Sequence, residues 1–342
     1  MLGPIAWRTP PVSYGPWERV TSLLTEGLVR RGVEVTLFAT GDSITGARLE
    51  AVAEHGYAQD PSMDGRVWEA LHIAHALKRS GEFDLVHNHV DWLPLALTAQ
   101  WQAPMITTVH GFSGPAILPA YIASSSAFVS ISDADRSPEL DYLATIHHGI
   151  DPGELPFVTE PDDYLVSFGR IHPDKGTATA IEIARRAGRR LVICGLVQDA
   201  DYFHAEVEPH VDGERVAFLG DVGADERARV LGYAAALLHP AEFDEPFGLS
   251  VIESMMCGTP VLAYRRGSMA EVLDEGVTGT AVTSIEEALS ALPAVESLDR
   301  RHVHDRAVAR FGVERMVDEY LRAYHSVLNQ RPWARVQVGR VR

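Results

Sequence analysis

The first forty residues set the periodicities from which the chain is built. Val20, Leu23, Leu24 and Leu28 recur at helical spacing, Gly32 stops that helix, and residues 33–38 alternate and then run apolar as a buried strand does. With a strand ahead of the Gly/Pro loop at residues 11–16, this is a β-α-β opening. Further buried strands are expected at residues 83–87, 104–110, 128–132, 164–168, 191–195, 216–220 and 260–264. Helices are expected at 67–79, 178–187, 284–292 and 313–328, and another begins with the apolar run Leu249, Val251, Ile252, Met255, Met256 and closes at Gly258 and Pro260. Residues 41–66 are polar and irregular and are expected to be loop with little structure of their own. The run His147-His148-Gly149-Ile150-Asp151-Pro152-Gly153 has the composition of a hinge, after which the alternation restarts. The fold class is therefore α/β, with two facing, doubly wound, Rossmann-like domains at 1–150 and 151–312 and a cleft between them.

Composition narrows the function classes. At 342 residues the chain fits two domains of moderate size, and its formal charge of −17 disfavours nucleic acid or an anionic membrane as partner. Residues 1–150 carry 9 basic and 16 acidic side chains, so this half also lacks the basic face of a lipid-docking enzyme. No run is long and apolar enough for a membrane helix, and the start of the sequence lacks a basic segment followed by a secretory core. The expectation is a cytoplasmic protein without strong membrane association. A small basic tail, 331–342, is expected to fray. Cys194 and Cys257 sit in apolar contexts and are assigned to the core. Only two lysines, Lys78 and Lys175, stand against 28 arginines, so each surviving lysine invites a local explanation.

The candidate chemistry lies at the carboxyl ends of strands. Glu245-Pro-Phe-Gly-Leu-Ser-Val-Ile-Glu253 places two carboxylates eight residues apart across a loop-to-helix junction, where free backbone N–H groups suit a phosphate or sugar hydroxyls. Gly169-Arg170-Ile-His-Pro-Asp-Lys175 places a guanidinium and an ammonium on the shoulders of one strand-to-helix loop, a pair suited to a diphosphate. His110, Gly195 and Gly220 end strands that should face the cleft. His87, His89 and Asp91 have a metal-ligand look but are assigned to hydrogen bonding. Asp133/Asp135 and Asp199/Asp201 match a short Asp-x-Asp pattern, which is weak because it occurs twice, and they are assigned to a turn and a loop. No metal site is expected.

The Glu245–Glu253 segment, followed by CGTPVLAYRRGSMAEVLDEGVTG, resembles the Glu-x7-Glu signature and downstream region of the retaining family-4 glycosyltransferases, whose fold is of the GT-B type. The resemblance covers nearly the whole chain. It implies a nucleotide-diphosphate-sugar donor held mainly by the second domain, and a final helix, about 313–342, that returns to the first. Glu253 would hold the ribose, Arg170 and Lys175 the diphosphate, and Glu245 with the backbone near Phe247, Gly248 and Leu249 the sugar hydroxyls. Gly169, Gly195 and Gly220 would border the nucleotide. His110 matches the family's active-site histidine, and Gly15 its glycine-rich loop, although Pro16 stands where the family usually has a second glycine and removes one N–H donor. No cofactor or metal is implied. The acceptor, a small molecule or oligosaccharide, would enter near Tyr14, Gly15 and His110. The pattern is also similar to glycosyltransferases that tailor oligosaccharide antibiotics of the orthosomycin (avilamycin) type. A sugar-nucleotide epimerase, a phosphorylase and a non-catalytic nucleotide-sugar-binding partner remain open.

Overall fold

The computed structural model describes residues 1–111 and 114–329, so the basic tail expected to fray lies outside the described residues. The first sheet is parallel and is wound in both directions from its earliest segment. Leu2 bridges Phe38 on one side and Asn88 on the other, with its N–H donating to the His87 carbonyl at 2.8 Å. Outward from it on one side run β1 (Thr36–Phe38) and β2 (Arg48–Glu50). On the other run β3 (Val86–Asn88), β4 (Met105–Val109), β5 (Ala127–Ser130) and β6 (Tyr142–Thr145). Helices α1 (Pro16–Arg30), α2 (Gly65–Lys78) and α3 (Leu118–Ile122) belong to this domain.

The second sheet is parallel throughout, in the order β12-β11-β10-β7-β8-β9. Its strands are β7 (Leu165–Phe168), β8 (Leu191–Cys194), β9 (Val216–Phe218), β10 (Ala236–His239), β11 (Val261–Tyr264) and β12 (Gly279–Val282). Between them come α4 (Thr177–Ala187), α5 (Ala200–Tyr202), α6 (Ala224–Tyr233), α7 (Leu249–Met256) and α8 (Met269–Val272), followed by α9 (Ile285–Glu296) and α10 (Arg300–Phe311). The winding direction reverses between β7 and β10, and in such sheets the ligand crevice lies beyond the carboxyl ends of the strands at that point. The loops leaving β7 and β10 are those that carry Arg170 and Glu245.

The closing helix α11 (Val313–Asn329) leaves the second domain and docks on the first. Its buried face, Val313, Met316, Val317, Tyr320, Ala323 and Val327, joins Val20, Leu24 and Leu28 of α1 in one cluster. The two helices approach closely at Gly27, where an added Cβ would lie 2.3 Å from a Val317 methyl. Burying side chains of this size contributes roughly 1.5–3 kcal/mol each, so α11 is a major part of the first domain's core.

Several expectations need correction. Residues 41–66 are not structureless: Arg48–Glu50 form an edge strand paired in register with β1, and Tyr57–Gln59 form a short 3-10 turn. An edge strand faces water along one side, so its polar sequence hides the strand signal. The strand expected at 33–38 is only Thr36–Phe38, because the Val33 N–H donates to the Leu28 carbonyl at 3.1 Å and closes α1 instead. Helix α9 runs past Pro293 to Glu296, since Leu292 and Val295 are both buried on its core side. Helix α10 had no expectation. Only Val303, Ala307 and Phe311 of its mostly polar sequence, together with Arg300, are buried.

Candidate functional site

One cleft of about 300 Å³ opens between the two sheets, and residues from both domains line it. Its second-domain wall starts at the ends of β7 and β8. The N–H of Gly169 donates to the Cys194 carbonyl at 3.0 Å and that of Gly195 to the Gly220 carbonyl at 2.8 Å, so the strand ends are stitched side by side. Gly195 has φ +149°, and an added Cβ would fall 1.7 Å from the Gly169 oxygen, so only glycine fits. Gly169 and Gly195 line the cleft. Gly220 does not; its neighbours Asp221 and Val222 do, and Gly220 acts through its carbonyl as a support for Gly195.

The loop after β7 brings Arg170 and Lys175 to the same cleft, each beside a carboxylate. Arg170 pairs with Asp174 at 3.2 Å and also donates to Gln198. The Lys175 ammonium meets Glu245 Oε2 at 2.5 Å and lies 4.4 Å from the centroid of the Phe243 ring. Glu245 is 7% exposed. Burial would raise its pKa, but a contact from His239 and the Lys175 charge overcome this and hold it at about 2. The His239–Glu245 approach is 3.3 Å, close enough for attraction but too poorly aligned for a hydrogen bond.

Phe247, Gly248 and Leu249 carry the wall from Glu245 into α7. Gly248 caps α7 at φ +85°, a conformation that favours glycine, and it leaves the first N–H groups of the helix at the cleft. Glu253, on the second turn of α7, is 4% exposed. Its Oε1 lies 3.4 Å from the Arg19 Nε and 3.6 Å from the Arg227 Nε.

The first domain contributes the start of α1 and a file of histidines. Tyr14, Gly15, Pro16, Trp17 and Arg19 line the cleft. Pro16 occupies the first helical position, where its missing N–H removes no intrahelical bond. The Glu18 carboxylate folds back on this helix start, accepting from its own backbone N–H and from that of Trp7 at 3.2 Å. Burial pushes its pKa up to about 7 against those two hydrogen bonds.

His110 ends β4 and lies between two other histidines. Its Nε2 is 2.8 Å from His89 Nδ1, its Nδ1 is 3.4 Å from His148 Nε2, and the Trp17 ring stacks on it at 5.3 Å. Burial lowers its pKa to about 3 and holds His89 and His148 well below the usual range, so all three are neutral at pH 7. His110 is thus a neutral ring whose tautomer its neighbours set. His87 bonds to Tyr324 at 2.7 Å and Thr108 at 2.8 Å, and the Asp91 carboxylate accepts from Tyr121 at 2.6 Å. Among the described residues, no group of three or more His, Cys, Asp or Glu side chains has metal-binding geometry. Asp133 is bonded to Thr145 at the domain boundary, and Asp199 caps α5 by accepting from the Tyr202 N–H at 2.9 Å. The two cysteines are free and buried, each thiol pushed up to about 12 by burial.

The cleft therefore gathers Gly15, His110, Gly169, Arg170, Lys175, Gly195, Glu245, Phe247, Gly248, Leu249 and Glu253, leaving out Gly220 alone. It also contains residues with no local sequence signal: Arg19, Trp17, Asp221 and Arg227. Arg19 and Arg227 become visible only when the chain brings α1 and α6 to the flank of α7.

Comparisons with known proteins divide at the same place as the sheets. Residues 17–153 match the model for Glycosyltransferase Family 4, and residues 156–298 match that for Glycosyl transferases group 1. The glycogen synthase of Mycobacterium tuberculosis is 26% identical over 377 aligned positions, spanning 92% of this chain and 90% of that protein. Among solved structures, AviGT4, a glycosyltransferase involved in avilamycin A biosynthesis, superposes with a TM-score of 0.74 at 25% identity, over 96% of this chain and 98% of that one. HepE of Anabaena, solved with UDP and glucose, superposes with a TM-score of 0.69 at 20% identity, over 89% and 94% of the two chains, and supports the shared fold. No helix among the described residues is long and apolar enough to cross a membrane.

Proposed function

Because its two halves match the family 4 and group 1 models in turn, the chain belongs to that family of GT-B glycosyltransferases, which use nucleotide-sugar donors, and we propose that it transfers the sugar with retention of anomeric configuration. The observation that carries this reading is the convergence of a cationic and an acidic pair, Arg170 with Lys175 and Glu245 with Glu253, on one cleft at the switch point of the second sheet. Glu253 takes the ribose hydroxyls, and Arg170 and Lys175 take the diphosphate. Glu245 and the N–H groups at the start of α7 take the sugar. His110 contacts the sugar as a neutral ring, and the acceptor enters beside Tyr14 and Trp17.

Breaking the glycosyl–phosphate bond places negative charge on the leaving diphosphate and positive charge on the sugar ring. Fixed cations beside the phosphates and a fixed carboxylate beside the ring are therefore worth more in the transition state than in the ground state. Attack on the same face, with the leaving phosphate taking the acceptor's proton, uses no protein base, and none of the neutral histidines is required as one. On this reading Arg170 and Lys175 stand beside the diphosphate in the place of a divalent metal, and transfer proceeds without one. The acceptor class is a small hydroxylated molecule or an oligosaccharide, and the likeness to AviGT4 favours a secondary metabolite.

The test is to incubate the protein with UDP-, ADP-, GDP- and dTDP-sugars, with and without EDTA, against a panel of oligosaccharide acceptors, and to read the product's anomeric configuration by proton NMR. An α-linked product from an α-linked donor, at an unchanged rate in EDTA, supports the reading. A β-linked product, or activity restored only by Mn²⁺, refutes it. Interconversion of the donor sugar without any acceptor points to an epimerase instead.

A further inference from the structure

Arg19 is the first-domain side chain that reaches the carboxylate assigned to the donor. It projects from the first turn of α1, lines the cleft and spans it, with Nη2 bonded to Glu154 at 2.9 Å and Nε 3.4 Å from Glu253 Oε1. Arg227, from α6 of the second domain, approaches the same oxygen at 3.6 Å. Neither Nε has a hydrogen-bond partner although both atoms are buried, so Glu253 is held electrostatically without its lone pairs being fully used. The carboxylate can accept two hydroxyls of a vicinal diol while keeping both cations as counter-charges. Arg227 stays beside Glu253 whatever the domains do, since both belong to one sheet's flank. Arg19 keeps its place only while the cleft is closed, and the Ser13–Asp221 hydrogen bond of 2.7 Å beside it crosses the same gap.

We propose that Arg19 is a positioning residue that couples nucleotide binding to domain closure, by pairing across the cleft with the carboxylate that holds the ribose. This rests on the assignment of Glu253 to the ribose. A ribose diol fixes Glu253 in one orientation and so favours the closed arrangement in which Arg19 can pair with it. By linkage, that arrangement tightens nucleotide binding by the same factor. Arg19 touches no reacting atom, so its loss raises the donor KM more than it lowers kcat.

A double-mutant cycle on the full chain tests this, using whichever of UDP, ADP and GDP binds best. Arg19→Gln should weaken nucleotide affinity by about tenfold, and Arg19→Lys should recover part of the loss. At saturating nucleotide, Arg19→Gln should have a larger radius of gyration by small-angle X-ray scattering than the wild type, whereas Arg227→Gln should not. In a Glu253→Gln background the Arg19→Gln effect should largely vanish. Additive effects of the two substitutions, or equal compaction of Arg19→Gln and wild type, would overturn the coupling while leaving the ribose assignment intact. Unchanged nucleotide affinity in Glu253→Gln itself would overturn the ribose assignment, and the coupling with it.

Discussion

Replacing Lys175 separates what this residue does for the fold from what it does for the reaction. In Lys175→Ala, Glu245 stays buried beside His239 without the ammonium now at 2.5 Å. Leaving one member of a buried ion pair behind typically costs about 3–5 kcal/mol. In a domain of this size about 3 kcal/mol corresponds to a fall in Tm of roughly 6–12 °C. The Glu245 carboxyl, now held at about 2 by His239 and Lys175 against burial, should move upward without the lysine. Lys175→Ala/Glu245→Gln removes both charges, so most of the lost Tm should return.

Activity should behave differently. An ammonium about 4 Å from a leaving phosphate oxygen is worth roughly 4 kcal/mol at an effective dielectric of 20, a factor of about a thousand in rate. The double variant should therefore be stable and remain slow. The assay is release of nucleoside diphosphate from the preferred donor, with thermal unfolding followed on the same samples. Turnover of Lys175→Ala within about threefold of wild type would refute the phosphate role. A double variant no more stable than the single one would refute the buried-pair argument.

Two further substitutions probe charges that the fold buries. Glu18 is raised from 4.5 to about 7 by burial, so its contribution to stability is present below 4.5, is lost as pH rises through 7, and amounts to roughly 3 kcal/mol. Glu18→Gln keeps an acceptor for the Trp7 N–H and should match the wild type near pH 4.5 but unfold several degrees higher at pH 8; equal Tm differences at the two pH values would contradict this. Arg300 donates to the carbonyls of Val158 at 2.7 Å, Gly232 at 2.5 Å and Ala234 at 2.9 Å, and to Thr259 Oγ1 at 2.8 Å. Arg300→Met should lower unfolding free energy by about 3–5 kcal/mol in urea titration. A cost below about 1 kcal/mol would show that water replaces the guanidinium.

How much could be read beforehand depended on how local each signal was. Glu245, Gly248 and Glu253 lie within nine residues of one another, and Arg170 and Lys175 within six, so each group announces its own loop-to-helix junction. That both junctions open at one switch point follows from the parallel alternation of strands and helices. Arg19 and Arg227 were not legible. Each sits in an amphipathic helix rich in charge, and only the packing of α1 and α6 around α7 gives either a carboxylate to face. Gly220 is ambiguous for a related reason: a strand-end glycine has the same signature whether it meets a ligand or supports the neighbouring strand end. The partners of His110 were hidden too, because His89 comes from the end of a different strand and His148 from the inter-domain hinge.

The docking of α11 on α1 has a consequence during synthesis. In the nascent first domain Val20, Leu24 and Leu28 have Ile106, Val129 and Ile146 of their own domain to share a cluster with, but the rest of that cluster belongs to α11, which is made much later. At about 5–20 residues per second, the roughly 300 residues between them take about 15–60 s to translate. For that interval the first domain lacks the side of its core that α11 supplies, so it reaches its full packing only after the second domain has been translated.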